Sequence, residues 1–191
     1  MKKLLAVFLT ATLVLACAVC AASAETKTGL GIVSSIGSSR PVGELDGEKT
    51  NGRAQVDTTV CAVTIDENNR IVAISFDVAQ TRVAFTPEGE IASDPTAEIH
   101  TKRERLFDYN MKAASAANGT NNGEGLELFE QLDHLEAYCL GKTVDEVLAI
   151  KVEQRDEQHP EVPADEDLKS VVTITIGEFL RAFEKAVANA K

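Results

Sequence analysis

Residues 56–85, VDTTVCAVTIDENNRIVAISFDVAQTRVAF, decide the fold. Cys61, Val63 and Ile65 alternate with Val60, Ala62 and Thr64, which is the period of a pleated strand. Asp66-Glu67-Asn68-Asn69 interrupts that run with turn-forming residues, and β-branched residues then resume. Val72, Ile74, Phe76 and Val78 share one face of the second run, and Ser75, Asp77 and Ala79 lie on a more polar opposite face. This pattern predicts an antiparallel hairpin whose sheet carries helices on one side only.

Upstream, residues 25–51 are rich in Gly, Ser and Thr and read as a flexible or edge-strand segment, with Gly29-Leu30-Gly31-Ile32-Val33 starting a strand. Gly29-x-Gly31 lacks the third glycine and the helix of a dinucleotide fingerprint. Downstream, Pro87-Glu88-Gly89-Glu90-Ile91 reads as a turn into a short strand. Thr101 and Glu104 fit a capping box opening a helix to Ala117, with Leu106, Tyr109 and Ala113 on a stripe and Asn118–Gly123 as its stop. A second helix carries Leu126, Phe129, Leu132 and Leu135, with Leu128 and Cys139 beside them, and ends at Gly141. Thr143 and Glu146 cap a short helix to Ile150. Residues 151–169 hold seven acids, three bases and two prolines, and read as an exposed acidic loop without a calcium-ligand pattern. Ser170–Ile176 is a β run, and Thr175-Ile176-Gly177-Glu178 caps a last amphipathic helix with Phe179, Phe183, Ala186 and Ala190 on its apolar face. The expected fold is α+β: a small antiparallel sheet with helices packed on one face and the C-terminal helix docked on the sheet.

The chain has 191 residues, 44% of them hydrophobic, enough for one cored domain. With 19 Lys and Arg against 30 Asp and Glu its net charge is −11, which argues against nucleic-acid partners because phosphate backbones repel such a chain. Lys2 and Lys3, the apolar run Leu4–Cys20 and Ala22-Ser23-Ala24 form an export signal over residues 1–24, so the chain is expected outside the cytoplasm. Val14-Leu15-Ala16-Cys17 offers a second processing mode, lipidation at Cys17, and an uncleaved signal is a third route to the membrane. Cleavage after Ala24 fits best and leaves Cys61 and Cys139, which outside the cytoplasm form either a disulfide or two small buried hydrophobes. His100, His134 and His159 have no metal-ligand spacing, and no nucleophile constellation stands out. Asp108, Asp133, His134 and Glu136 read as solvated helix faces.

The C-terminal region from Asp167 to Val187 resembles the end of the FMN-binding domain of exported flavoproteins. That family includes extracellular flavin lipoproteins and covalently flavinylated subunits of respiratory complexes. Its pattern is Asp-x-x-Ser/Thr-Gly-Ala-Thr-x-Ser/Thr followed by an amphipathic helix, and Asp167, Ser170, Thr173 and Thr175 fall at the matching positions. Asp108-Tyr109-Asn110-Met111-Lys112 is similar to a motif of the extracellular members, and the likeness spans roughly residues 52–190. The resemblance implies an FMN cofactor bound by Asp167, Ser170, Thr173 and Thr175, with Thr173 at the position where a transferase esterifies the FMN phosphate. It also implies electron carriage to a redox partner in the cell envelope. The family's Gly-Ala is Val171-Val172 here. Two β-branched residues remove the backbone freedom that glycine provides, which disfavours covalent attachment. Non-covalent FMN binding and a domain that has lost its flavin are the readings left, and the alternative class is a cofactor-free envelope or secreted interaction module.

Overall fold

The computed structural model describes residues 25–117, 125–157 and 159–191; residues 1–24, read above as an export signal and including Cys17, and the Asn118–Gly123 stop lie outside them. Strands β1 (Thr26–Ser35), β4 (Gly52–Asp66) and β5 (Ile71–Phe85) form an antiparallel sheet in the order β1-β4-β5. Between the first two lies a small hairpin, β2 (Gly43–Leu45) and β3 (Glu48–Thr50). Asp66 closes the β4–β5 turn by accepting from the amides of Asn68 and Arg70 at 2.9 and 2.8 Å. Asn69 there adopts a left-handed φ of 55°, which asparagine tolerates.

Odd-numbered residues of β4 (Cys61, Val63 and Ile65) point inward, as the alternation predicts. On β5 the expectation for Val72 fails. The register slips between Thr64 and Ile65, so Thr64 faces Ala73 while Ile65 faces Ile71. This bulge turns Ile71 inward, at 1% exposure, and leaves Val72 49% exposed. Phe76 and Val78 are buried and Ile74 is half-buried.

Helix α1 (Met111–Ala117) is followed by α2 (Leu128–Cys139) and α3 (Val144–Leu148). A two-stranded ribbon of β6 (Val152–Glu153) and β7 (Val162–Pro163), the short α4 (Glu166–Lys169) and the final α5 (Gly177–Ala188) complete the chain. Helix α5 lays Phe179, Ala182, Phe183 and Ala186 on β1 and β4, and α2 packs beside β5. Phe76 meets Phe179 edge to face at 5.5 Å. Burying each such phenyl ring contributes about 2–3 kcal/mol. Among the described residues the opposite sheet face carries no helix, so the architecture is α+β with helices on one side.

Both sheet edges are closed. Lys191 exchanges two backbone hydrogen bonds with Thr28, Asn189 donates to the Leu30 carbonyl and Lys185 to that of Ile32. On β5 the Glu136 carboxylate accepts from the Phe76 amide at 2.7 Å, while Arg103 donates to the Phe76 carbonyl and pairs with Glu136 and Asp133. These contacts occupy the backbone groups through which an open edge would recruit another strand. Glu136 is thus not a solvated helix position: burial pushes its carboxyl above the ordinary value, against the favourable Phe76 amide and Arg103.

Several local expectations give way to tertiary contacts. Thr101 and Glu104 do exchange their reciprocal bonds, yet no α-helix follows. The Lys102 amide is drawn to the Val78 carbonyl, a 3-10 turn spans Leu106–Tyr109, and Asn110 breaks the path with φ 55° before α1. The buried stripe of α2 is Leu128, Gln131, Leu132, Leu135 and Cys139, not the three-residue ladder through Leu126 and Phe129. Gly141, at φ 75°, and the Thr143–Glu146 capping box sit where expected. Ile91 makes one bridge to Phe85 rather than a strand. The 151–169 segment is not a wholly exposed loop, since Val162, Pro163 and Leu168 are buried. Ser170–Ile176 forms no strand: both edges of the sheet are taken, and Val172 and Ile176 enter the core from an irregular path. Thr175 does not cap α5, whose N-cap is Ile176.

Cys61 and Cys139 are free thiols, fully buried. Burial, with a smaller contribution from Glu136, pushes both up to about 12, against the opposing charge of Lys142 beside Cys139. A thiol attacks only as thiolate. The folded protein is therefore expected to leave Cys61 and Cys139 unmodified by Ellman's reagent at pH 8 and to release both on adding denaturant; rapid labelling of either in the native chain would show the core open at that point.

Candidate functional site

The segment after α4 carries the residues singled out by sequence. It leaves Lys169, turns through Ser170 and Val171, and reaches α5 at Gly177. Val172 anchors it in the core, which turns Thr173 outward to an exposed position. Gln131 of α2, only 3% exposed, holds the turn from beneath. Its carbonyl oxygen accepts from the Thr173 amide at 2.8 Å, the Ile174 amide at 3.2 Å and the Thr173 hydroxyl at 3.4 Å. The Gln131 amide nitrogen in turn donates to Leu126. From the other side Arg155 donates to the Thr173 carbonyl at 2.9 Å.

Three cavities meet around this turn. One, of about 350 Å³, is lined by Glu153, Arg155, Lys169, Ser170 and Thr173. A second, of about 170 Å³, has Lys112, Arg155, His159 and Thr173 in its lining and no acidic residue among the described ones. The third, of about 570 Å³, shares Met111, His159 and Ile174 with the second and continues to Tyr109, Leu128, Thr175 and Phe179. Ser170 and Thr173 therefore share one cavity, and Thr175 lines another that adjoins the Thr173 side. Asp167 stands apart, in a separate 650 Å³ depression with Tyr138, Lys142 and Asp165. Tyr109 and Met111, from the Asp108–Lys112 motif, both face the third cavity.

The sequence reading missed the floor of that cavity. The inward face of the sheet changes from apolar to polar along its length: Cys61 is followed at two-residue steps by Thr59, Asp57 and Gln55, and Val78 by Gln80 and Arg82. Arg82 donates to Gln55, which donates to Asp57, and Gln80 donates to the same carboxylate at 2.8 Å. Burial opposes ionisation of Asp57, but the bonds from Gln80, Gln55 and Ser38, with Lys102 nearby, outweigh it and hold the carboxyl below its ordinary value. Thr59, buried to 2%, donates to Glu178 at 3.3 Å. The strand period continuing past the core with polar residues was the available signal. For Gln131 it was an amide on the apolar stripe of a helix.

The arrangement combines a small basic recess, an exposed hydroxyl and a larger cleft with apolar sides and a hydrogen-bonding floor. Such a site suits a ligand with an anionic end and a flat, partly polar body. Near the recess the side chains of Arg155 and His159 both meet Asp156, whereas Lys112 has no ion-pair partner among the described residues. No group of three His, Cys, Asp or Glu among the described residues could hold a metal ion, and no described helix is long and apolar enough to cross a membrane. Comparison with family models, curated proteins and solved structures returns no match.

Proposed function

We propose that this is an exported FMN-binding protein that carries electrons to a redox partner in the cell envelope. The carrying observation is the recess lined by Lys112, Arg155 and His159 beside the exposed Thr173 hydroxyl, opening into a cleft lined by Tyr109, Met111 and Phe179. Lys112, Arg155, His159 and the Thr173 hydroxyl would hold the phosphate, and Ser170 borders the next cavity. Thr175, Tyr109, Met111 and Ile174 would flank the ring system, with Thr59, Asp57 and Gln80 toward its polar edge. The donor set suits a phosphate: a guanidinium, an ammonium and an imidazole around a hydroxyl. The net charge of −11 works against an anion at long range, but a Debye length of about 8 Å screens distant acids more than contact donors. The bound flavin would supply the one- and two-electron chemistry. The chain would bind it, orient it and keep part of its ring from water.

The sequence objection to attachment at Thr173 supposed that Val171 and Val172 extend a strand. In the irregular turn Val172 fills the core and Val171 is half-buried, so the pair braces the turn and Thr173 stays accessible. The test is to express the exported chain with and without a flavin transferase, then record absorption, intact mass and quenching of free FMN fluorescence. FMN binding is expected to weaken at least about tenfold in Arg155→Gln and in Lys112→Met, each removing one charge-assisted contact. A mass adduct, if formed, should vanish in Thr173→Val. A colourless chain that leaves FMN fluorescence unchanged would overturn the proposal and favour the cofactor-free envelope module.

A further inference from the structure

The outward face of the β1-β4-β5 sheet has the composition of an interface. Leu30 and Ile32 are 51% and 47% exposed there, Val56 and Val83 38% and 37%, and Val60 and Ala62 continue the surface between them. A quarter of the chain's residues are charged (26%), yet the outward positions of these paired strands carry charge only at Asp66, at the β4–β5 turn, and at Asp77 within the sheet. The Asp77 carboxylate is already engaged, accepting from the Val78 and Arg103 amides. Hydroxyls on this face satisfy one another across strands: Thr28 pairs with Thr64 at 2.9 Å, and Ser34 with Thr58 at 3.1 Å. Polar groups paired in this way lose little when water leaves.

We propose that this face is the interface of a homodimer formed by sheet-on-sheet packing. Strand addition is not the route, because both sheet edges are closed by Lys191, Asn189, Lys185, Glu136 and Arg103. The occupant must be flat, apolar and uncharged, and a second copy presents such a face across a twofold axis. Elsewhere two copies of a chain at −11 bring like charge against like charge; here the charge is nearly absent. Three strands about 4.8 Å apart and ten residues long at about 3.3 Å each span roughly 450–500 Å² in projection per copy. Two such faces bury about 1,000 Å², the lower end for a specific complex, so a reversible dimer is expected. The inference is independent of flavin binding.

Sedimentation equilibrium of the purified exported protein, from micromolar to millimolar concentration, tests it. A monomer–dimer equilibrium is expected, strengthened by added salt because salt screens repulsion between the acidic subunits while the apolar contact persists. Leu30→Glu, and separately Ala62→Glu, should each raise the dissociation constant at least about tenfold by setting like charges across the twofold. Both sites are exposed, so circular dichroism and melting should stay as in the parent chain, and Glu184→Lys on exposed α5 surface should leave the equilibrium near its parent value. A monomer throughout the range, or a dimer that ignores both face substitutions while the variants stay folded, overturns the proposal.

Discussion

Gly31→Ala is expected to lower stability by about 3 kcal/mol or more, enough to unfold much of a marginally stable domain. A Cβ at Gly31 would lie 1.9 Å from the Ala182 carbonyl oxygen and 2.5 Å from the Ala186 amide nitrogen. Both are backbone atoms of α5, so no side-chain rotation relieves the clash. Gly29 is in the same position against the Ala186 carbonyl, again at 1.9 Å. Helix α5 would have to lift off β1, drawing Phe179, Phe183 and Ala186 away from Cys61 and Phe76 and opening gaps in a close-packed layer. Gly37→Ala serves as the control: its Cβ meets only the Ser35 hydroxyl at 3.4 Å, and the change should stay within about 0.5 kcal/mol. Urea unfolding of the three proteins decides the matter. Equal midpoints would mean that α5 does not rest on the glycines of β1.

Gln131→Leu is expected to cost about 2–4 kcal/mol and to weaken any ligand held at Thr173. Leucine fits the apolar surroundings of Leu128, Leu132 and Leu135, but it leaves the Thr173 and Ile174 amides without their acceptor in a part-buried turn. Each orphaned donor carries a penalty of about 1–3 kcal/mol. Gln131→Glu keeps the acceptor but loses the donor to the Leu126 carbonyl and buries a carboxyl, so it should recover only part of the loss, still separating a hydrogen-bonding role from simple packing. The measurements are thermal melting and FMN titration of the two variants. If Gln131→Leu melts with the parent protein, the turn is held by Val172 and Arg155 alone.

The hairpin, the edge strand at Gly29–Val33, the last helix and the Thr143 box were readable because each follows from local period or capping chemistry. The site was readable only in part. Ser170 and Thr173 do share a cavity and Thr175 lines one nearby, but Asp167 faces another depression. Arg155 and His159 share one turn of the 151–169 segment, but Lys112 and Thr173 come from distant stretches of chain, and no spacing in the sequence joins them to it. Asp57, Thr59 and Gln80 were legible as strand residues, but not as a cavity floor, because alternation assigns a face without saying where its helical cover ends.

By itself the sequence determined the α+β class and the inward face of β4, since a period of two and a period near 3.6 are backbone geometry written in side chains. Tertiary structure alone decided the rest. Ser170–Ile176 has the β-branched composition of a strand, yet an extended segment needs a free edge to pair with. Lys191, Asn189 and Lys185 close one edge, and Arg103 and Glu136 the other. The segment therefore folds as a turn over Gln131, and Thr173 is exposed because burying Val172 on one side of that turn leaves its neighbour facing out.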